Sequence, residues 1–306
     1  MLKAAIDIGS NTIQMLFARK GVSGLSVLEH SQEVTALGTG LNKSKKFDAH
    51  SEEKSIEVLS SYAKRLAAHG VDPKDVLVMA TEACRQSIST VNFFGKITKT
   101  TKLLPQLLTT YGEAYISSYA VCTDIDEEEL LIVDIGGAST EITLVERLPF
   151  KVVKTISLKL GTVAVSEWLK SGELETQLMQ VLVRYADELQ LLRRPKLYCV
   201  HGSMTTIFNM VRDNREKSEM SFHKDNLSSQ FLSSEVEKYL QWGNSRIAND
   251  FPYIRQREKT ILGLLHLVRW LVFNLKPQSI SLSNMGLVHG ALAMGEIPAN
   301  FKIFLS

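Results

Sequence analysis

One short pattern occurs twice in this chain and constrains its fold more than any other feature. The first copy, A-A-I-D-I-G-S-N-T-I-Q-M-L, begins at Ala4, and the second, L-I-V-D-I-G-G-A-S-T-E-I-T-L, begins at Leu131. In each copy an apolar strand ends in Asp-Ile-Gly, small polar residues follow, and alternating apolar positions predict the returning strand of a hairpin. The repeat therefore predicts a duplicated fold.

The residues of both turns are suited to holding an anion. Glycine lets backbone N–H groups approach a phosphate closely, and Ser, Thr and Asn side chains add hydrogen-bond donors. Two unrelated hairpins with glycine turns are the alternative interpretation, but the shared D-I-G frame favours a repeat. We expect two loops that grip a phosphate chain, with phosphate-binding residues Gly9, Ser10, Asn11, Gly136, Gly137, Ser139 and Thr140.

The second copy also carries two carboxylates in a spacing typical of a cation site. Asp134 ends one strand and Glu141 begins the next, so a tight turn can aim both side chains at one Mg²⁺ ion. Turn carboxylates are common, and a solvated Glu141 is the competing interpretation. We expect Asp134 and Glu141 to be the metal ligands.

Composition and charge exclude few classes of function. The chain has 306 residues, 44% of them hydrophobic, which is enough for a sizeable core and favours two domains. The net charge of +2 does not indicate nucleic-acid binding. Three cysteines without metal-ligand spacing favour a reducing, cytoplasmic setting. Neither a signal segment at the start nor a membrane span is expected, because the apolar stretch 261–275 is too short.

The hydrophobic pattern predicts the same order of elements in both halves. Three strands, helices and further strands follow each other in the first 124 residues, and the polar run C-T-D-I-D-E-E-E marks a boundary. In the second half the hydrophobic pattern predicts strands at Leu130–Asp134, Glu141–Glu146 and Phe150–Leu158, and later at Lys196–Val200 and Ser279–Ser283. Open α/β sheets bind ligands at the carboxyl ends of such strands.

Several motifs together resemble the Ppx/GppA family of exopolyphosphatases and guanosine pentaphosphate phosphohydrolases. Besides the two D-I-G copies, they are A-T-E-A-C-R-Q-S from Ala80, similar to the family's T-S-A-x-R-x-A block, and G-E-A-Y from Gly112. S-L-K-L-G-T-V from Ser157, H-G-S-M-T-T from His201 and S-N-M-G-L-V-H-G from Ser283 add to the resemblance. It covers nearly the whole chain and matches the short, two-domain members.

The resemblance implies a fold and a domain plan. We expect an α/β protein of two duplicated ribonuclease-H-like domains, as in the actin, sugar kinase and Hsp70 superfamily, with a cleft between the domains. Domain I would span residues 1–124, and a C-terminal helix at about 287–306 would pack back on it. Domain II would span residues 125–286.

The resemblance also implies a catalytic arrangement. Glu113 matches the family's catalytic glutamate, the base that orients or deprotonates the attacking water, although from sequence alone a glutamate at a helix start is more often favoured by the helix dipole. The family's metal ligands match Asp134 and Glu141, which implies Mg²⁺ or another divalent cation. Arg85 is a plausible guanidinium fork on phosphate oxygens, with a surface salt bridge as its alternative role. Arg257 lies near a family arginine and is predicted to contact substrate.

Four positions depart from the family pattern. Gly112 replaces the first glutamate of a common pair, and Tyr115 stands where arginine is common. Gln14 replaces an arginine, which removes a cation from the first loop, and Ala138 replaces a glycine of the second. His201 is a further candidate for substrate contact, or a structural histidine. We expect these changes to weaken recognition of guanosine tetra- or pentaphosphate more than hydrolysis of polyphosphate.

The sequence therefore predicts a cytoplasmic, metal-dependent exopolyphosphatase that acts on inorganic polyphosphate and forms a homodimer, with no nucleic-acid or membrane partner. Hydrolysis of pppGpp to ppGpp is the nearest alternative. A superfamily kinase, which would transfer the phosphoryl group to an acceptor, and a catalytically weak alarmone sensor stay open.

Overall fold

The computed structural model of the chain describes residues 2–21, 24–200, 202–213 and 222–305. These residues form two compact units. Unit 1 comprises Met1–Asp124 and Gly286–Ser306, and unit 2 comprises Ile125–Met285.

Unit 1 is built on one mixed six-stranded sheet. Its strands are β1 (Leu2–Ile8), β2 (Thr12–Gly21), β3 (Gly24–Val34), β4 (Val76–Ala80), β5 (Pro105–Leu108) and β12 (Lys302–Ile303). They lie in the order β12-β5-β4-β1-β2-β3. The central strands β1, β4 and β5 are parallel, whereas β2, β3 and β12 run antiparallel to their neighbours.

Helices cover both faces of this sheet. They are α1 (Leu41–Ser44), α2 (Ala49–Ala68), α3 (Glu82–Gln86), α4 (Thr90–Thr101), α5 (Thr110–Cys122) and α11 (Leu287–Met294). Alternate residues of β1 point to opposite faces, as strand geometry requires. Ile6 packs in a core with Tyr62 of α2 and Phe93 of α4, while Ala5 packs in a core with Ile116 of α5 and Val288 of α11. The central strands of the sheet are therefore buried between two layers of helices.

Unit 2 repeats the sheet with different connections. Its strands are β6 (Glu129–Ile135), β7 (Thr140–Glu146), β8 (Lys151–Leu158), β9 (Lys196–Val200), β10 (Asn226–Ser228) and β11 (Ser279–Ser283), in the order β10-β11-β9-β6-β7-β8. The helices are α6 (Thr162–Ser171), α7 (Leu174–Leu191), α8 (Gly202–Val211), α9 (Ser229–Asp250) and α10 (Ile261–Leu275). The apolar helix α10 is mostly buried.

The first three strands of the two sheets match in detail. Asp7 of β1 lies opposite Gln14 of β2, and Asp134 of β6 lies opposite Glu141 of β7. The register between the second and third strands shifts at Phe17/Ala18 in unit 1 and at Leu144/Val145 in unit 2. Both shifts fall at the same distance in sequence from the strand-end aspartate. The predicted duplication of an α/β, ribonuclease-H-like fold is therefore confirmed.

The prediction of the C-terminal segment as one helix over about 287–306 is wrong. Helix α11 ends at Met294, because Gly295 follows in the left-handed conformation with a φ of 85° and Pro298 cannot continue the helical hydrogen bonding. A 3₁₀ turn, Ala299–Phe301, and the short strand β12 come next.

None of the helices that the structure describes is long and apolar enough to cross a membrane.

Candidate functional site

The two glycine turns have the same backbone arrangement. The N–H of Gly9 donates to the carbonyl of Thr12 at 3.0 Å, and the N–H of Gly136 donates to the carbonyl of Ser139 at 2.9 Å. The intervening residues of each turn therefore bulge beyond the end of a central strand. Successive backbone N–H groups in such a turn form a concave site for an anion.

A second repeated segment donates backbone hydrogen bonds to each turn, and we call it the brace. Leu37-Gly38-Thr39 in unit 1 and Leu160-Gly161-Thr162 in unit 2 share the letters L-G-T. Gly38 donates its N–H to the Ser10 carbonyl at 2.7 Å, and Thr162 donates its N–H to the Gly136 carbonyl at 3.0 Å. Sequence reasoning missed this repeat, although its three letters were visible at equivalent places after each hairpin.

The brace in unit 2 is the tighter of the two. A Cβ atom added at Gly161 would lie 2.4 Å from the Gly137 carbonyl oxygen and 2.5 Å from the backbone of Ala138. One added at Gly38 would lie 3.0 Å from the Ser10 Cβ atom. The second turn thus has almost no space behind it, which fixes its backbone before any ligand binds.

The polar side chains of the two turns differ in their burial and in their hydrogen bonds. Ser10 and Ser139 are buried, and Asn11 is half-buried. The hydroxyl of Thr140 donates to the Leu160 carbonyl, and the residue is fully buried. This bond favours a structural role for the Thr140 hydroxyl, which braces the loop instead of facing a ligand.

Asp134 and Glu141 are direct cross-strand partners in the register of β6 and β7. Residues placed in this way have Cβ atoms about 5 Å apart on one face of the sheet. Glu141 is 5% exposed, and the hydroxyl of Ser157 on β8 donates to its Oε1 atom at 2.8 Å.

These two carboxylates fit a hard divalent cation. Mg²⁺ is commonly held by one or two carboxylates together with water and substrate phosphate oxygens. No cluster of three or more His, Cys, Asp or Glu side chains arranged to hold a metal occurs among the described residues.

Glu113 lies in the first turn of α5, at a well-formed helix start. Thr109 is the N-cap: its hydroxyl accepts a hydrogen bond from the Gly112 N–H at 2.9 Å, and its carbonyl accepts one from the Glu113 N–H at 3.0 Å. The side chain of Glu113 is 14% exposed. The cap therefore fixes the backbone that carries the predicted base.

Arg85 lies against Glu113 and is bound by two carboxylates. Its Nη1 atom is 2.7 Å from Oε2 of Glu113, and its Nη2 and Nε atoms are 2.8 and 2.9 Å from Oε2 of Glu82. Although burial lowers the pKa of the Arg85 guanidinium, Glu113 and Glu82 more than offset this effect and raise it. We call these three residues the Glu82–Arg85–Glu113 triad.

The triad changes the interpretation of Arg85. Its side chain is 10% exposed, so the surface salt bridge is not its role, and its guanidinium fork points at carboxylates. Binding of a phosphate by Arg85 would require one of these ion pairs to open. Sequence reasoning missed Glu82, which is nine-tenths buried and stands three residues before Arg85, the helical spacing for an ion pair.

The other predicted contacts lie apart from these turns in sequence. Arg257 ends a 3₁₀ turn, Pro252–Arg257, and its carbonyl accepts a hydrogen bond from the Thr260 N–H before α10 begins. It is half-exposed. His201 lies outside the described residues.

A family model described as the Ppx/GppA phosphatase family matches residues 16–296. The chain belongs to the Ppx/GppA phosphatase family. The family that the motifs indicated is thereby confirmed.

Solved Ppx/GppA structures share the fold of this chain. The Aquifex aeolicus Ppx/GppA enzyme superposes with a TM-score of 0.78 at 23% identity, covering 96% of this chain and 99% of that one. An exopolyphosphatase from Cytophaga hutchinsonii superposes with a TM-score of 0.82 at 17% identity, covering 97% of this chain and 99% of that one.

A curated relative from Fusobacterium nucleatum is described as a bifunctional 3-dehydroquinate synthase/phosphatase. It is 30% identical over 174 residues, which are 54% of this chain. The matched region spans 26% of that relative's length. The similarity thus concerns one part of a larger protein.

Proposed function

We propose that this Ppx/GppA protein hydrolyses phosphoanhydride bonds and removes the terminal phosphate from inorganic polyphosphate. The observation that carries the proposal is the second turn, where Asp134 and Glu141 face each other beside a braced glycine loop. A glycine turn suited to holding phosphate and two carboxylates suited to a cation lie next to each other there. That combination suits phosphoryl transfer, which depends mainly on positioning and charge stabilisation.

The turns hold the phosphate in this mechanism. Backbone N–H groups around Gly9 and around Gly136 and Gly137 would donate to phosphate oxygens, with the hydroxyl of Ser139 as a further donor. Ser10 and Asn11 would do the same in the first turn. Because the turns are fixed by backbone hydrogen bonds, little ordering is needed when phosphate binds.

Asp134 and Glu141 would hold a divalent cation, Mg²⁺ in the simplest case. Such an ion would neutralise phosphate charge and polarise the bond to the leaving group. The Ser157 hydroxyl donates to Oε1 of Glu141 and orients that carboxylate.

Glu113 would act as the general base toward the attacking water. Nη1 of Arg85 lies 2.7 Å from Oε2 of Glu113, and this ion pair fixes the orientation of the carboxylate. Glu82 binds the same guanidinium, so the charge of Arg85 is shared between two carboxylates. An oriented, ionised carboxylate is what a general base requires.

Hydrolysis of pppGpp to ppGpp is the second candidate, since both substrates end in the same phosphoanhydride group. Gln14 lies opposite Asp7 where relatives have an arginine, so the first turn lacks that cation for a guanosine polyphosphate. This favours inorganic polyphosphate. The homodimer and the cytoplasmic setting stay predictions, and sedimentation of the purified chain tests the first.

The test measures phosphate release by the purified protein from long-chain polyphosphate and from pppGpp, with Mg²⁺ and with EDTA. The variants are Glu113→Gln and, as a matched control, Glu57→Gln on the exposed face of α2. We expect release from polyphosphate that needs Mg²⁺ and falls about a hundredfold or more in Glu113→Gln only.

The other outcomes redirect the proposal. Release from pppGpp alone would assign the chain to the second candidate. Consumption of ATP only when an acceptor is added would indicate a kinase. Binding of both substrates without release would indicate a sensor.

A further inference from the structure

The residues after α11 form a 3₁₀ turn and a short edge strand of the unit 1 sheet. Ala299–Phe301 form a 3₁₀ turn, and Lys302 and Ile303 pair with Leu108 and Leu107 at the edge of the sheet. We call residues 299–303 the C-terminal strap. Phe301 in its centre is 5% exposed, whereas Phe304 just beyond it is 79% exposed. The strap is therefore packed up to Phe301 and open to solvent after it.

The strap is bound to the cap of the helix that carries Glu113. The Phe301 carbonyl accepts a hydrogen bond from the Thr109 N–H at 2.8 Å. Thr109 in turn binds the N–H groups of Gly112 and Glu113 through its hydroxyl and its carbonyl. A continuous series of hydrogen bonds thus runs from Phe301 to the backbone of Glu113.

Two departures from the family pattern have the same neighbour in this structure. A Cβ atom at Gly112 would lie 2.6 Å from the Phe301 Cβ atom and 2.9 Å from its carbonyl oxygen, so no larger residue fits there. The ring of Tyr115 lies 4.9 Å from the ring of Phe301, and that of Tyr111 lies 5.9 Å from it. Gly112 and Tyr115 together form the seat for Phe301.

The strap also reaches the other side of the triad. Lys302 is the register partner of Leu108, and the Leu108 carbonyl accepts a hydrogen bond from Nη1 of Arg85 at 3.1 Å. The strap therefore holds both the strand end that positions Arg85 and the helix cap that positions Glu113.

We propose that Phe301 is a positioning residue for the base, and that the C-terminal strap holds Glu113 and Arg85 in their mutual geometry. This inference rests on the proposed function for its kinetic part. Phe301 acts through Thr109 and Gly112, and the effect of losing it is on the chemical step rather than on binding of substrate.

The test combines kinetics with amide hydrogen exchange in the full chain. Phe301→Ala removes the ring, Phe301→Leu keeps an apolar side chain, and Phe304→Ala is the matched control in the exposed residue beyond the strap. We expect Phe301→Ala to lower kcat between about tenfold and a hundredfold, with KM within about threefold. Exchange should rise in residues 107–117 and stay unchanged in residues 131–146 of unit 2.

Gly112→Ala tests the same contact from the other side. Its methyl group collides with Phe301, so it should lower kcat as much as Phe301→Ala does. The collision involves the Cβ atom and the carbonyl oxygen of Phe301, which Phe301→Ala retains, so the double variant should be no more active than either single variant. Phe301→Leu should recover most of the lost kcat, and Phe304→Ala should behave as wild type.

Two results would overturn the inference. One is unchanged exchange at residues 107–117 in Phe301→Ala, which counts against it even where the wild type releases no phosphate and the proposed function itself fails. The other is an active wild type with kcat in Phe301→Ala within twofold of it. If Phe301→Ala does not fold, Gly112→Ala and Phe301→Leu decide both points.

Discussion

The two glycine turns share a backbone and differ in one cross-strand partner. Both close with the same N–H to carbonyl bond, and both follow a strand-end aspartate. Opposite Asp7 the first turn has the amide Gln14, and opposite Asp134 the second has the carboxylate Glu141. Both units thus keep the same turn backbone after a strand-end aspartate, while the acidic cross-strand pair occurs in the second turn and not in the first.

The largest effect is expected for Glu141→Gln, which gives the second turn the cross-strand pairing of the first. The amide keeps the size of the side chain and an acceptor for Ser157, but it removes one of two proposed cation ligands. We expect kcat for phosphate release to fall about a hundredfold or more and the Mg²⁺ concentration for half activity to rise.

Gln14→Glu is the matched exchange in the first turn. Gln14 is 7% exposed, so a buried carboxylate opposite Asp7 should lower the unfolding temperature while the Mg²⁺ requirement stays the same. A Mg²⁺ titration that moves equally in both variants would mean that the two turns share the ion, and one that moves in neither would place it elsewhere.

A smaller difference should appear in the braces behind the turns. Gly161→Ala pushes a methyl group onto the backbone of Gly137 and Ala138, whereas the methyl group of Gly38→Ala would lie 3.0 Å from Cβ of Ser10 and 3.2 Å from its carbonyl oxygen. Gly161 has an extended φ of −121°, so the contact alone causes the loss. We expect the free energy of unfolding to fall by about 3 kcal/mol for Gly161→Ala and by about 1 kcal/mol for Gly38→Ala. Urea unfolding measures both, and equal losses would show that the second turn can move.

The smallest effect concerns the buried thiols beside the two aspartates. Burial, with a smaller effect of Asp134, raises the pKa of Cys199 to about 12, and burial with Asp7 raises the pKa of Cys84 against the opposing Arg85 charge. Because the thiolate is the reactive form, neither should react with a disulfide reagent at pH 8 in the native protein. All three cysteines should react once the chain is denatured. Rapid labelling of just one native site would show that its unit opens locally.

The strands were predictable because their apolar patterns are local. Lys196–Val200 and Ser279–Ser283 begin and end where the sequence predicts. Helix α3 was missed because five residues are too few to show a helical period, and β12 because its pairing with β5 depends on residues far away in sequence. The prediction of one helix over 287–306 did not take Gly295 into account as a helix stop signal.

The candidate site was predictable in its parts but not in its connections. The D-I-G turns and Glu113 follow from motifs and resemblance. That Glu82 and Glu113 both bind Arg85 follows from the packing of α3 against the start of α5, which no local pattern contains. Likewise, the sequence alone does not explain Gly112 and Tyr115, because their common neighbour Phe301 is far away in the chain.

The strands of the two sheets become available at different times during synthesis of the chain. Unit 2 is one continuous stretch, so its six strands are all available as soon as that stretch has left the ribosome. Unit 1 begins first, yet it needs α11 and β12, which are synthesised only after the whole of unit 2. Since domains tend to fold as they emerge, the nascent first half has an open sheet edge and lacks α11 beside α5 on one face of its sheet. The half that is made first is therefore completed last.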